Sequence, residues 1–203
     1  MSRLYEHVAR LSVDLRRVEP TVRRRFEIPA EMTLADLHAV LQIAFQWDGD
    51  HLHKFDAGDR QFGPPEVREP RFGPPVQPEE GIKLVTLWRR GVTKLRYTYD
   101  FGDDWIHNIR ILRMREAAPD GAPPTLLFAK GASPQEDCGG PIGYMDMVDI
   151  LADPAHPAHA EYAEMYPDGL DPHTPETEEI ERGFAALRRA WRPRGRRSKS
   201  GGG

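Results

Sequence analysis

The sequence predicts an α+β protein, a mixed or mainly antiparallel, roll-like sheet packed against helices, and three observations carry that expectation. Residues 7 to 15 alternate, with Leu11, Val13 and Leu15 on one side and Ser12 and Asp14 on the other, the two-residue period of a strand. The stretch "TLADLHAVLQIAFQW" repeats its apolar residues at helical spacing. Strand-like and helix-like stretches are then mixed unevenly, without the regular strand–helix–strand alternation of a parallel fold.

Taken in order, a second strand follows Pro20, over Val22 to Ile28. Thr33 supplies an N-cap with Asp36 at the third position after it, and Leu34, Leu37, Val40, Leu41, Ala44 and Phe45 give the helix its apolar stripe. The helix ends before "DGD", residues 48 to 50, and "HLHKF" reads as a short strand entering an "AGD" turn. Residues 60 to 80 hold "FGPP" twice, at Phe62 to Pro65 and Phe72 to Pro75, and read as an irregular surface loop because proline removes donors and fixes φ. Lys83 to Trp88, Lys94 to Tyr99 and Trp105 to Met114 read as antiparallel strands. After "TLLFAK" the pattern turns helical over Gly143 to Leu151, Pro157 to Met165 and Glu176 to Trp191. Pro157 is expected at a first helical position, and Ile180, Phe184 and Leu187 share one stripe of the last helix.

At 203 residues the chain has room for one sizeable core, so the expectation is a single domain over 1–187 and a basic, Gly- and Ser-rich disordered tail over 188–203. A hydrophobic share of 39 % with 19 prolines and 18 glycines points to long connections between elements. No stretch approaches the ~18 apolar residues of a membrane span, so no membrane partner is expected. One cysteine, Cys138, forms no intramolecular disulfide, which fits a reducing, cytoplasmic setting.

The net charge of −4 hides an asymmetry. Seven cations from Arg188 to Lys199 form the basic end; setting them aside leaves 21 Lys and Arg against 32 acids, a balance of −11. Gly131 to Glu181 contains thirteen acids and no Lys or Arg. On this reading nucleic acid is held only weakly, through the tail, and repelled by the body.

The densest chemistry lies in "YTYDFGDDWIHNI", residues 97 to 109. Tyr97, Tyr99 and Phe101 share one strand face, and Trp105, His107 and Ile109 share a face of the next, so the aromatics read mostly as core. Asp100, Asp103 and Asp104 crowd one turn, where repulsion calls for a cation, backbone donors or a metal, with Arg96 and Arg110 as candidate cations. His51 and His53, two apart on a strand, point to one side and suit a shared cation. "PQEDCGGPIGY" gathers Glu136, Asp137 and Cys138 before two glycines; its acidic setting opposes a thiolate, so Cys138 reads as structural. The H-E-x-x-H, CxxC and G-x-S-x-G motifs, a phosphate-binding glycine loop and a helix-turn-helix signature are all absent from the sequence.

The ordered run of "PTVRRRFEIPAEMTLADLHAVLQIAFQW", "HLHKF", "YTYDFGDDWIHNI", "EDCGGPIGY" and "LADPAHPAHAEY" resembles the plasmid pRiA4b ORF-three-like family over roughly residues 5 to 187. The resemblance implies an α+β roll, an association with mobile elements and no established activity. Some relatives carry a transposon-resolvase label. A serine recombinase needs a nucleophilic serine among arginines, whereas Ser2 and Ser12 lie in a tail and a strand without that context, which argues against the label.

Two functional readings follow. The leading one is a non-enzymatic binding or accessory module with a protein partner, because no nucleophile, base and orienter come together in the sequence. The rival is a metal-dependent, hydrolase-like enzyme in which His51, His53, Asp103, Asp104, His107 and Glu136 converge on one divalent metal ion.

Overall fold

The computed structural model describes residues 5–67, 75–118 and 123–191. Eight strands form one sheet: β1 (His7–Leu15), β2 (Arg23–Pro29), β3 (His53–Ala57), β4 (Arg60–Gly63), β5 (Val76–Pro78), β6 (Lys94–Tyr99), β7 (Trp105–Glu116) and β8 (Thr125–Lys130). Their order across the sheet is β5-β4-β3-β6-β7-β1-β2-β8, with every pairing antiparallel except β4 with β5. The helices are α1 (Leu34–Phe45), α2 (Leu84–Arg89), α3 (Gly140–Ala152), α4 (His159–Met165) and α5 (Thr177–Ala190). The α+β class with a mixed, mostly antiparallel sheet is therefore the observed one.

The alternation of β1 does what its period dictates: Ala9, Leu11, Val13 and Leu15 are buried toward the helices. Opposite them across the register stand Ile109, Ile111 and His107 of β7 and Phe26 and Ile28 of β2. Helix α1 starts from a complete capping box, in which the Thr33 hydroxyl accepts from the Asp36 N–H and the Asp36 carboxylate accepts from the Thr33 N–H. Its apolar stripe closes over this inward face. Phe184 of α5 meets Phe26 edge-on at 5.7 Å, so the last helix seals the β2 end of the same core.

Arg24 is the one fully buried cation of β2, and its guanidinium satisfies several chain segments at once. It donates to the carbonyls of Ala44, Lys130 and Gly131 at 2.9 Å each and to the Ser133 hydroxyl at 3.0 Å. The C-terminus of α1, strand β8 and the following loop are tied together through this one side chain. Burial pulls its pKa down to about 10.

Three expectations are corrected. Lys83 to Trp88 is not a strand: Leu84–Arg89 is the short helix α2, because Leu84, Val85 and Leu87 bury themselves at helical spacing. Its first turn is held by the Leu84 N–H on the Met32 carbonyl and the Val85 N–H on the Ala30 carbonyl. Residues 60 to 80 are not wholly irregular, since β4, a 3-10 turn at Pro65–Val67 and β5 lie there; the second "FGPP", apart from Pro75, lies outside the described residues. Pro157 precedes the N-cap Ala158 of α4 rather than opening the helix. At the C-terminus Arg188 and Arg189 belong to α5, while residues 192 to 203 lie outside the described residues.

The pairing register also fixes what the other face of the sheet carries. β6 turns Lys94 and Arg96 outward, and β7 turns Arg110, Arg113 and Arg115 outward. Arg10 of β1, Arg23 and Arg25 of β2, Lys130 of β8 and Lys54 of β3 complete the set. Asp14, Glu27 and Asp56 are the acids among them.

Candidate metal centre

One end of the sheet gathers the residues that the sequence marks for chemistry. The start of β3, the end of β6, the β6–β7 hairpin tip, the residues after α1 and the loop before α3 meet there. Trp47 anchors the meeting by donating its ring N–H to the Pro134 carbonyl at 2.8 Å and stacking on Tyr99 at 5.2 Å. The two glycines of "EDCGG" permit the close packing. Gly140 has φ +68, and a Cβ there would stand 2.3 Å from the Asp103 carbonyl oxygen.

His51 precedes β3 with its ring 5.8 Å from that of Tyr99, while His53 lies 5.7 Å from Tyr97, and the two histidines take separate carboxylate partners. Nε2 of His51 lies 3.2 Å from the Asp137 carboxylate, and its Nδ1 lies 3.8 Å from that of Asp100. One ligand atom from each of these three residues falls within 4.8 Å of the others. Asp100 accepts the Gly102 N–H at 2.9 Å on its other oxygen, which fixes the carboxylate in place. Both acids sit on left-handed backbone, Asp100 at φ 53 and Asp137 at φ 58, and Asp104 nearby has φ 55. Such conformations cost about 1–3 kcal/mol each for residues other than glycine and concentrate at functional sites.

The remaining sequence candidates find separate partners. His53 is buried and places Nε2 at 3.0 and 3.1 Å from the two oxygens of Glu79. Its ring stacks on His38 of α1, whose Nδ1 lies 2.7 Å from the Tyr97 hydroxyl, and Gln42 also donates to that hydroxyl at 2.8 Å. His107 is fully buried against Phe45, Trp47 and Tyr97, with Nδ1 at 3.2 Å from the Trp105 carbonyl. Burial drives the pKa of His38 and of His107 down to about 3, and the neighbouring charge of His53 adds to the shift at His38. Glu136 is engaged at both oxygens, by the Tyr99 hydroxyl and by the Asp48 N–H at 2.6 Å. Asp104 pairs with Arg17 at 3.2 Å, so neither Arg96 nor Arg110 is its cation; Arg110 pairs with Asp14 instead. Asp103 keeps one carboxylate oxygen buried without a hydrogen-bond partner. Cys138 beside it is half-buried, and desolvation followed by the Asp103 charge pushes its thiol up to about 11.

Of the six sequence candidates, only His51 therefore enters the three-residue cluster, and its partners Asp100 and Asp137 come from the "YTYDFGDDWIHNI" and "PQEDCGGPIGY" stretches. Glu79 and His38 carried no motif: one lies in the proline-rich stretch and the other on the apolar helix. A second cluster, Glu6, His7 and Glu31, sits elsewhere along β1, where Glu31 already accepts from the His7 backbone N–H at 3.2 Å and lies 3.1 Å from its ring.

Fold and site together define a class: an α+β protein whose open sheet carries a histidine–carboxylate cluster at one end. The chain belongs to the family described as plasmid pRiA4b ORF-3-like protein, whose sequence model matches residues 7–179. It is 41 % identical over 148 residues to the uncharacterized protein y4hQ of Sinorhizobium fredii, which spans 73 % of this chain and 75 % of that protein. Its fold is similar to the crystal structure of a protein of unknown function, MM3350, from Methanosarcina mazei Go1. That match has a TM-score of 0.75 and 27 % identity, and it covers 84 % of this chain and 95 % of the other. The family is one of unknown function, with no activity established. No helix among the described residues is long and apolar enough to cross a membrane.

Proposed function

We propose that this chain is a non-enzymatic binding module whose partner-contacting end is organised by one divalent cation held by His51, Asp100 and Asp137. The observation that carries the reading is the convergence of these ligand atoms within 4.8 Å from three separate segments. The left-handed backbone at both aspartates supports it. An imidazole with two carboxylates suits a borderline ion such as Zn²⁺ or Mn²⁺ better than Ca²⁺, which prefers six or more oxygens. Holding the loop of Asp137 to the hairpin of Asp100, the ion would fix the surface formed by Leu52, Phe101 and the start of α3.

A hydrolase built on the same ion has less support. Glu136, a candidate base, has both oxygens committed, and Cys138 lacks the positive surroundings that favour a thiolate. A cytoplasmic setting and a mobile-element association belong to the same proposal, supported by the single cysteine and by the family resemblance.

The test is thermal unfolding of chelator-stripped protein with and without Zn²⁺, Mn²⁺ and Ca²⁺. A specific ion at about a hundred times its dissociation constant stabilises by about 2.7 kcal/mol. The expected result is a saturable shift with Zn²⁺ or Mn²⁺ that disappears in His51→Ala and in Asp137→Asn, the latter chosen because asparagine tolerates the left-handed backbone. Equal shifts in the parent and both variants would remove the site. Turnover of phosphoester or peptide substrates that depends on the ion would replace the binding reading with the enzyme.

A further inference from the structure

The geometry points to the outward face of the sheet as a docking surface for double-stranded nucleic acid, contacted through its phosphates. This goes beyond the cation site and does not depend on it. The chain is net acidic, but the fold separates the charges. Thirteen acids without a compensating Lys or Arg lie in residues 131 to 181, which run through α3 and α4 into α5, helices that pack on the core side through Tyr144, Met147, Tyr162, Ile180 and Phe184. The outward positions from β3 to β8 hold ten Lys and Arg against three acids, counted from the registers.

Arginine dominates that face, and its planar fork matches phosphate oxygens in pairs. Two of the three acids work as braces rather than as neutralisers. Asp14 is shared between Arg23 and Arg110, and Glu27 between Arg10 and Arg115, so each pair of guanidiniums is held in place and keeps a surplus positive charge. Among the described residues Arg25, Lys94, Arg96, Arg113 and Lys130 are exposed with no carboxylate at ion-pair distance. A hollow of 510 Å³ lined by Lys54, Asp56, Lys94, Arg96 and Asn108 opens on the same face, with three cations against one acid.

The dimensions suit a duplex. Five strand intervals separate β3 from β8, about 24 Å at the usual spacing, and a duplex presents one charge per ~1.7 Å of its axis. Recognition of single strands relies on several exposed aromatics to stack unpaired bases. The outward positions of this face offer one, Phe128, with the Arg25 guanidinium 5.3 Å over its ring. An anionic membrane surface would want contiguous apolar area. Here exposed Leu112 and Leu127 stand on β7 and β8 with β1 and β2 between them. The acidic helical side repels the same duplex and so orients the approach.

The experiment is fluorescence anisotropy of a labelled duplex of about 24 base pairs with the full chain, titrated between about 50 and about 200 mM salt. Two sets of variants carry the test: Arg25→Ala with Arg96→Ala and Arg113→Ala, and separately Lys94→Ala with Lys130→Ala. All five side chains are exposed, and thermal unfolding confirms that each variant is folded. The triple variant is expected to lose at least tenfold in affinity and about three from the slope of log K against log salt, and the double variant about two from that slope. Neutralising Arg194, Arg196 and Arg197 instead should leave the effect of the face variants intact. Parent-like duplex binding by both folded face variants overturns the inference. So does tighter binding to a single strand of equal length, or binding to phosphatidylserine vesicles without binding to the duplex.

Discussion

The imidazole of His38 lies flat on that of His53, ring centroids 3.7 Å apart and planes 5° from parallel, with Glu79 gripping the outer nitrogen of His53 and Tyr97 that of His38. A helix residue and a strand residue are thereby joined by polar groups inside an otherwise apolar core. The arrangement has a consequence for acid stability. His38 and His107 have their folded pKa values lowered to about 3 from 6.5, so between those limits the unfolded chain binds more protons than the folded one. Stability should be fully present above pH 6.5 and fall as the pH drops toward 3, by up to ~1.4 kcal/mol per pH unit for each histidine. Urea midpoints measured at successive pH values between 7 and 4 would check it. Replacing His107 with leucine should reduce the slope by about one proton; a flat profile from pH 6.5 down to the carboxylate range contradicts the account.

Arg24→Met should destabilise by about 3–5 kcal/mol, because it leaves buried carbonyls of Ala44, Lys130 and Gly131 without their donor. Arg24→Lys should recover only part of that, since an ammonium cannot reproduce the fork. Chemical denaturation of both variants reads the difference, and equal midpoints for Lys and Met would show that the fork geometry is unimportant.

Gly140→Ala should cost about 2–4 kcal/mol, combining a left-handed φ of +68 with a Cβ 2.3 Å from the Asp103 carbonyl oxygen. Relief requires the loop to move off the hairpin tip, which also separates Asp137 from Asp100. The variant should therefore lose the cation-dependent thermal shift along with stability. Retention of a full shift would mean that the two segments are not coupled through this contact.

Cys138 should alkylate slowly. With its thiol near 11, against an ordinary value of 9.0, it holds about a hundredfold less thiolate at neutral pH. Iodoacetamide labelling of the native chain across pH 7 to 10 checks this, and Asp103→Asn should speed the reaction by removing one of the charges that raise the thiol.

The elements that were legible in the sequence are those whose signal is local. The Thr33–Asp36 capping box and the stripe from Leu34 to Phe45 announce α1, the alternation of Leu11, Val13 and Leu15 announces β1, and Tyr97 to Ile109 announces a hairpin that buries Tyr97, Tyr99 and Trp105, although Phe101 lies exposed in the turn after β6 instead of sharing their face. Lys83 to Trp88 is ambiguous in sequence because its apolar residues Leu84, Val85, Leu87 and Trp88 fit both a strand and a helix in so short a run, and packing selects the helical i, i+1, i+3, i+4 spacing.

The sequence by itself thus determined the class of fold, the family and the stretches in which the polar groups fall, because capping, alternation and turn chemistry act between near neighbours. Tertiary structure alone decided which polar groups meet. Glu79 reaches His53 across 26 positions, and Asp100 and Asp137 reach His51 only after β3 pairs with β6 and the loop before α3 packs on the hairpin. It also decided that Arg10, Arg25, Arg96 and Arg113, scattered along an acidic chain, stand on one face, since strand order depends on non-local pairing that no local pattern encodes.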